Sequence, residues 1–115
     1  MSVTVYGIPN CDSVKKARAL LAANGVVYAF HDYKKQGVPE DLLQAWVAAK
    51  GWETLLNRKG TTWRSLDEAT KASVDGAAAA LRVMCAHPRT IKRPVVTNNT
   101  IVIVGVDELA IRQLG

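Results

Sequence analysis

The sequence predicts an α/β fold in which helices pack on a four-stranded mixed sheet and an all-helical segment interrupts the strands. Three observations lead to this prediction. Residues 2–33 have the pattern strand, helix, strand; residues 38–87 are helical throughout; and residues 94–114 return to two strands and a helix. The element order is therefore βαβ, a helical insertion, then ββα.

The first segment is predicted to form a βαβ unit. Residues 2–6 and 26–33 are rich in β-branched and aromatic side chains, which indicates strands. Asn24 and Gly25 are typical of a helix end. Because about 20 residues separate the strands, they should pair in parallel through a right-handed crossover. The intervening helix has its apolar residues on one face: Val14, Ala17, Leu20 and Leu21.

The insertion begins after a predicted polar loop at residues 34–38. Pro39 is suited to open a helix, and Gly51 to interrupt it. Residues 52–62 are expected to be short and irregular, with Leu55 and Leu56 buried. The apolar residues of the helix after Pro39 share a face: Leu42, Leu43, Trp46 and Val47.

Two further helices are predicted in the insertion. Ser65 and Glu68 match the capping box, with Ser65 as the N-cap and Glu68 at the third helical position. Residues 76–86 form an alanine-rich helical run, and Pro88 should end it.

The last segment is predicted to form a β-hairpin and a final helix. Residues 94–97 and 100–104 read as strands joined by a two-residue turn at Asn98 and Asn99, because Asn tolerates positive φ angles. Asp107 should cap a helix with four apolar residues: Leu109, Ala110, Ile111 and Leu114.

Length and composition indicate a single domain over residues 1–115, with the helical insertion at about 38–87. The chain has 115 residues, 49% of them hydrophobic and 22% charged, and no apolar run long enough to span a membrane. The N-terminus lacks a signal-peptide pattern, so a cytoplasmic location is expected, with both cysteines reduced. The net charge of +5 comes in small groups. No nucleic-acid arm is therefore expected.

Cys11 is the candidate nucleophile. It follows Pro9 at the point where a strand gives way to a helix, and the unpaired N–H groups of a helix N-terminus favour an anion. Lys15 and Lys16 lie one turn further on and add positive potential. Each effect favours the thiolate, which is the reactive form of cysteine. The alternative is an inert, buried thiol.

Cys11 has no second cysteine within its own motif, because the position that would complete Cys-x-x-Cys is Val14. Cys85 lies on the alanine-rich helix beside Met84, where a buried structural cysteine is the expected role. A Cys11–Cys85 pairing would require the fold to bring them close. The motif around Cys11 is therefore predicted to be a single-thiol site.

Pro94 is a candidate cis-proline, since Arg93-Pro94 begins a strand after the βαβ unit. An ordinary trans proline is the alternative. Arg93 and, in the insertion, Arg58 could line an anion site or lie on the surface. His31 and His87 are expected to have structural roles. The scattered Cys and His residues do not have metal-ligand spacing, so no metal site is predicted.

Three separated motifs, in order along nearly the whole chain, resemble the arsenate reductase (ArsC)/Spx family, above all its short YffB-type members. The motifs are Tyr6-Gly7-Ile8-Pro9-Asn10-Cys11-Asp12-Ser13-Val14-Lys15-Lys16, then Leu55-Leu56-Asn57-Arg58, and His87-Pro88 with Ile91-Lys92-Arg93-Pro94-Val95-Val96. The resemblance implies a thioredoxin-like fold, Cys11 as nucleophile, and Arg58 and Arg93 around an oxyanion.

The chain departs from the arsenate reductases at several positions. A third arginine of the family falls at about Gly105, and a histidine found in some reductases falls at Gly7. The Ser-Arg pair that follows the cysteine in those enzymes is here Val14-Lys15. These departures argue against arsenate as the substrate.

The expected function is that of a monothiol, glutathione-dependent thiol/disulfide oxidoreductase without a bound cofactor. Glutathione or a glutaredoxin-type thiol would be the electron donor, and a small-molecule or protein disulfide the substrate. Arg58, Arg93 and Lys15 would bind the anionic group. One alternative is a glutathione/glutaredoxin-coupled arsenate reductase. Another alternative is an Spx-like transcriptional regulator, and only in that case would RNA polymerase be a partner. No membrane or nucleic-acid partner is expected.

Overall fold

The computed structural model describes residues 2–114; Met1 and Gly115, the ends of the predicted 1–115 domain, lie outside the described residues. Within the described range there are four strands: β1 (Val3–Gly7), β2 (Tyr28–Asp32), β3 (Val95–Thr97) and β4 (Val102–Val104). The α-helices of that range are α1 (Asp12–Ala23), α2 (Tyr33–Gln36), α3 (Glu40–Lys50), α4 (Trp52–Leu55), α5 (Thr61–Arg64), α6 (Glu68–Ala72), α7 (Ala77–Ala86) and α8 (Glu108–Arg112).

The chain forms two compact units. The first contains the sheet with α1, α2 and α8, and its residues lie in 2–37 and 93–114. The second is the intervening segment Val38–Lys92, with α3 to α7 and a short 3-10 helix at Pro88–Thr90. Whether both belong to a single domain stays a prediction.

The first unit is built on a mixed sheet in the order β2-β1-β3-β4. β1 pairs in parallel with β2, from Val3 opposite Tyr28 to Gly7 opposite Asp32. β1 and β3 pair antiparallel, with Tyr6 opposite Val95, and β3 and β4 form the antiparallel hairpin. The predicted α/β class and four-stranded mixed sheet are confirmed.

The core of the first unit lies between the sheet and helices α1 and α8. Val14, Ala17 and Leu21 of α1 are fully buried, as the predicted helix face requires, whereas Leu20 lies at the edge of the cluster. Burial of a valine or leucine side chain such as Val14 or Leu21 contributes about 1.5–3 kcal/mol. The cluster is completed by side chains of the sheet, of α8 and of the residues after α8: Val3, Val5, Val96, Ile103, Ile111 and Leu114. Leu109, which was expected among the apolar residues of the last helix, is 70% exposed.

The second unit has its own apolar core, and none of the four strands lies in it. Leu42, expected on the buried face of α3, is 41% exposed, while Leu55 and Leu56 are buried as predicted. The end of the unit is held by hydrogen bonds from Lys92 N–H to Leu55 C=O (2.7 Å) and from Asn57 N–H to Thr90 C=O (2.8 Å). Its core residues are Leu43, Trp46, Val47, Leu55, Leu56, Ala79, Ala80, Val83, Met84 and Ile91.

Two predicted loops contain short helices. Residues 34–38 were expected to be a loop, but α2 forms there because Asp32 caps it by accepting the Lys34 N–H at 2.9 Å. The stretch 52–62, expected to be irregular, begins with α4 and ends in α5. Single turns of this kind depend on local caps and packing, so helical periodicity does not predict them.

The predicted capping box at Ser65 is wrong. Asp67 is the N-cap of α6, and its carboxylate accepts the Thr70 N–H at 3.0 Å. The Ser65 hydroxyl instead donates to the Thr62 carbonyl at 2.9 Å, at the end of α5. By contrast, Asp107 caps α8 as expected, accepting from Ala110 N–H at 3.1 Å.

The hairpin turn is longer than the two residues predicted. Thr97 pairs with Val102, so residues 98–101 form the loop. The Asn98 side-chain oxygen accepts the N–H groups of Thr100 (2.9 Å) and Ile101 (2.7 Å). This side chain organises the loop by hydrogen bonding, and no described residue other than glycine has a positive φ.

Gly7, the last residue of β1, lies against Val14 in the first turn of α1. A Cβ atom at this position would stand 2.6 Å from Cγ2 of Val14, and Val14 is fully buried. A β-branched side chain in a packed core has little freedom to move aside. Glycine at position 7 therefore lets the helix pack against the end of the strand.

We expect Gly7→Ala to lower the free energy of unfolding by about 1–3 kcal/mol, because it overpacks this contact. The measurement is denaturant unfolding followed by circular dichroism. Gly76→Ala is the control, since a Cβ there meets no atom within 4 Å. Adding Val14→Ala should make the Gly7→Ala cost smaller than it is in the native background. Equal costs in both backgrounds would exclude the steric explanation.

Candidate active site

Cys11 is the N-cap residue of α1, with φ −114° and ψ 126°, and the loop from the end of β1 leads into it. Its carbonyl accepts the Lys15 N–H at 2.9 Å, which closes the first helical turn. The side chain is half-buried. The thiol therefore stands at the N-terminus of a twelve-residue helix, as the sequence predicted.

The pKa of the Cys11 thiol is lowered from its ordinary value. Burial alone would raise this pKa, but three groups outweigh it: the Val14 N–H, the Arg93 guanidinium through a hydrogen bond and its charge, and the Ser13 N–H. The Val14 and Ser13 N–H groups act on the Cys11 sulfur, although the Cys11 side chain makes no capping hydrogen bond of ordinary geometry. The thiolate is thereby favoured, and the thiolate is the nucleophile.

Sheet register brings Arg93 to Cys11. Val95 pairs with Tyr6 near the C-terminal end of β1, so the two preceding residues of the chain lie at the same end, where the cysteine loop starts. Pro94 is buried, its carbonyl accepts the Gly105 N–H at 2.8 Å, and the Arg93–Pro94 peptide bond is cis. Arg93 is partly buried beside the thiol.

An aromatic cluster of Tyr6, His31 and Tyr33 lies at the same end of the sheet. The Tyr6 and His31 ring centroids are 5.1 Å apart, and those of His31 and Tyr33 are 5.9 Å apart. His31 Nε2 bonds the Gly37 carbonyl at 2.8 Å, in keeping with a structural role. Sequence reasoning missed Tyr33. Its position directly after β2, the parallel partner of β1, was the available signal.

The two lysines of α1 differ in their surroundings. Lys16 forms an ion pair with Glu108 of α8, with Nζ and Oε1 3.1 Å apart, so its charge is partly committed elsewhere. Lys15 is exposed on the first turn of α1. Its predicted part in anion binding stays a prediction.

Arg58 belongs to the second unit. Its Nη2 is 3.8 Å from Oε2 of Glu53, and its guanidinium carbon lies 5.6 Å from the Trp52 ring centroid. The arginine side chain is 51% exposed. Its role as an anion-binding residue stays a prediction, and its local partners are Glu53 and Trp52.

Cys85 is half-buried, not buried as predicted, because α7 turns it toward a groove in the second unit. Glu40, Gln44, Leu81 and Arg82 also line this groove. Burial raises the pKa of the Cys85 thiol, and the negative charge and hydrogen bond of Glu40 raise it further. The environment of Cys85 thus favours the thiol, opposite to that of Cys11.

Two wider features of the described chain bear on the site. Among residues 2–114, no three His, Cys, Asp or Glu side chains are grouped so that they could hold a metal ion. Over the same range, none of the helices combines the length and apolar character needed to cross a membrane.

The ArsC family model matches residues 6–114 of the sequence. The chain belongs to the ArsC family. Among solved structures, it is similar to a protein named YFFB, with 47% identity, a TM-score of 0.90 and 95% of each chain covered. An arsenate reductase (ArsC) related protein from Brucella melitensis is 48% identical, with a TM-score of 0.74, over 93% of this chain and 88% of its own. An uncharacterised protein from Haemophilus influenzae is 41% identical over 106 residues, 92% of each chain.

These similarities confirm the family and the thioredoxin-like fold that the sequence motifs predicted. In this ArsC-family protein, the β1–α1 junction with Cys11 and the cis Arg93–Pro94 bond at the start of β3 come together in one unit. The arrangement is that of a thiol oxidoreductase-like fold of the family. It provides an activated single thiol beside one arginine.

The two cysteines should differ in the pH at which they become reactive. Alkylation of Cys11 by iodoacetamide should have its midpoint at a lower pH than that of an ordinary cysteine, and alkylation of Cys85 should have its midpoint at a higher pH. Each rate rises with pH because the thiolate is the reacting form. Timed alkylation at a series of pH values, followed by peptide mass spectrometry, measures the midpoints of both cysteines in the same sample. A Cys11 midpoint at or above that of Cys85 would contradict the structure.

Arg93→Gln should shift the Cys11 midpoint upward, because it removes both a hydrogen-bond donor and a positive charge from the thiolate. Arg112→Gln is the matched control, since Arg112 pairs with Glu108 on α8. The control should leave the Cys11 midpoint unchanged. If both variants move it equally, net charge, not the Arg93 contact, lowers the Cys11 pKa.

Proposed function

We propose that this protein is a monothiol, glutathione-dependent thiol/disulfide oxidoreductase with Cys11 as its nucleophile. The observation that supports this most is the lowered pKa of a half-buried thiol at a helix N-terminus beside Arg93. Val14 occupies the position where a dithiol enzyme would carry its second cysteine. The reaction then needs a thiol from outside the chain, and the reducing cytoplasm supplies one in glutathione.

The first step is attack of the Cys11 thiolate on one sulfur of a disulfide. The disulfide bond breaks, one half leaves as a thiolate, and the other half stays bound to Cys11 as a mixed disulfide. A second thiolate, from glutathione or a glutaredoxin-type donor, then attacks the mixed disulfide. Cys11 leaves as a thiolate, so the chain returns to its starting state. Arg93 supports both steps by favouring the Cys11 anion as nucleophile and as leaving group.

Anionic groups of the substrate are proposed to bind Arg93, Arg58 and Lys15. Glutathione carries two carboxylates, and the planar guanidinium fork suits a carboxylate. The proposal for Arg58 rests on the family resemblance, and that for Lys15 on its place one turn after Cys11. The substrate is a small-molecule or protein disulfide.

Arsenate reduction is a second candidate, favoured by the ArsC family match and by an arginine beside the thiolate. It would use the same nucleophile with glutathione and glutaredoxin as donors. The third arginine of the family's oxyanion site is absent: Gly105 follows β4 with a φ of 82°, a conformation in which an arginine would be strained. Turnover of arsenate in a coupled glutathione–glutaredoxin assay would establish this function. The Spx-like regulator stays a prediction.

Incubation with glutathione disulfide should add one glutathione to Cys11 and none to Cys85. Cys11 provides the thiolate, whereas the raised pKa of Cys85 keeps that residue a thiol. Intact-mass and peptide mass spectrometry measure the adduct. Cys11→Ser should abolish it, and Cys85→Ser, the matched control, should leave it unchanged. An adduct that survives Cys11→Ser would overturn the assignment of the nucleophile.

Glu53→Gln tests the anion-binding role of Arg58, because it removes the carboxylate that now pairs with this guanidinium. An exposed pair contributes ~0.2–1 kcal/mol, so we expect about a twofold lower half-saturating concentration of glutathione disulfide. Stopped-flow measurement of adduct formation gives this value. Glu68→Gln, which breaks the Lys71 pair on α6, is the control. An unchanged or higher value with Glu53→Gln would argue against Arg58 as a binding residue.

A further inference from the structure

The hydroxyl group of Tyr33 is buried and unsatisfied. Tyr33 is 5% exposed, and its Oη has no hydrogen-bond partner among the residues that the structure describes. A buried hydroxyl of this kind lowers the stability of a folded protein, and such groups are rare. A group that is unsatisfied in one state of a protein is a candidate for a hydrogen bond in another state.

The groups around Tyr33 identify the candidate partner. His31 packs edge-on against the Tyr33 ring, but its Nε2 is already bonded to the Gly37 carbonyl. Burial raises the pKa of the Tyr33 phenol far above its ordinary value, the nearby Tyr6 raises it further, and the positive charge of Arg93 counteracts them. Arg93 is thus a cation close enough for its charge to act on the Tyr33 phenol.

Arg93 acts on Cys11 as well. Its hydrogen bond and charge lower the pKa of the Cys11 thiol. A guanidinium group has five N–H donors and no acceptor, so it needs acceptors on more than one side when it is partly buried. The Cys11 thiolate is one such acceptor. When the sulfur is in a disulfide, it has no charge and is a much weaker acceptor.

We propose that Tyr33 is a positioning residue, whose phenol oxygen accepts a hydrogen bond from the Arg93 guanidinium when Cys11 is in a disulfide. The inference rests on the proposed function, because the mixed disulfide is its intermediate. The hydroxyl stays unsatisfied in the thiolate state and is satisfied in the disulfide state. Tyr33 thereby keeps Arg93 close to Cys11 until the thiolate is released, and it stabilises the mixed disulfide relative to the reduced protein.

The test compares Tyr33→Phe with the native residue in two states of Cys11, in a Cys85→Ser background so that a single thiol reacts. Methyl methanethiosulfonate generates the disulfide state without glutathione: the Cys11 thiolate attacks the thiomethyl sulfur, a methylthio disulfide forms and methanesulfinate leaves. Thermal unfolding is then measured for the reduced and the methylthio proteins. Tyr28→Phe is the matched control, since the Tyr28 hydroxyl accepts from Arg18 Nε at 3.0 Å, a bond that does not involve Arg93.

Tyr33→Phe should leave the melting temperature of the reduced protein unchanged or higher, and lower that of the methylthio protein by about 4 °C. Tyr28→Phe should shift both states equally. Adding Arg93→Gln should abolish the dependence of the Tyr33→Phe effect on the state of Cys11, because the donor is gone. An equal effect of Tyr33→Phe in both states would overturn the proposal, and so would a larger loss in the reduced state.

Glutathione provides the second measurement. In a glutathione/glutathione disulfide buffer, the equilibrium constant for forming the Cys11 mixed disulfide should fall about tenfold in Tyr33→Phe. By thermodynamic linkage, a hydroxyl that stabilises the disulfide state relative to the reduced state also favours formation of that disulfide. If glutathione disulfide does not react at Cys11 but the methylthio difference persists, the proposed function fails and the role of Tyr33 stands. If glutathione adds normally and neither measurement depends on Tyr33, the role of Tyr33 fails and the proposed function stands.

Discussion

The pairing of β1 on both of its edges determines the geometry of the candidate active site. β1 is hydrogen-bonded to parallel β2 on one side and to antiparallel β3 on the other. Its C-terminal end is therefore next to the end of β2 and the beginning of β3. Cys11 follows β1, Tyr33 follows β2, and Arg93 precedes β3. Three residues far apart in sequence are brought to one place by backbone hydrogen bonds.

The two cysteines show how strongly environment decides the chemistry of a thiol. Both are half-buried, so the penalty of burial acts on each. At Cys11 the helix N–H groups and Arg93 outweigh that penalty, whereas at Cys85 the Glu40 carboxylate adds to it. The pKa values of the two thiols shift in opposite directions because Cys11 faces N–H donors and a cation, whereas Cys85 faces a carboxylate.

Much of the architecture and the candidate nucleophile were predictable from sequence, because they depend on periodic patterns and on chain order. The βαβ unit, the helical insertion and the Cys11 junction all follow from local signals. The Lys16–Glu108 ion pair and the exposure of Leu109 were not predictable, since they depend on how α8 meets α1. Tyr33 was missed because its burial depends on tertiary packing, although its position directly after β2 was an available signal.

The tight contact between Gly7 and Val14 links two positions at which this sequence differs from the arsenate reductase motif. The chain differs from some of those enzymes at both positions, with glycine in place of histidine and valine in place of serine. A Cβ at position 7 would come within 2.6 Å of the Val14 methyl group, so a larger residue at one position demands a smaller one at the other. One steric contact therefore couples the residues that this chain can hold at positions 7 and 14. A variant of this chain with a side chain at position 7 would also need a residue smaller than valine at position 14.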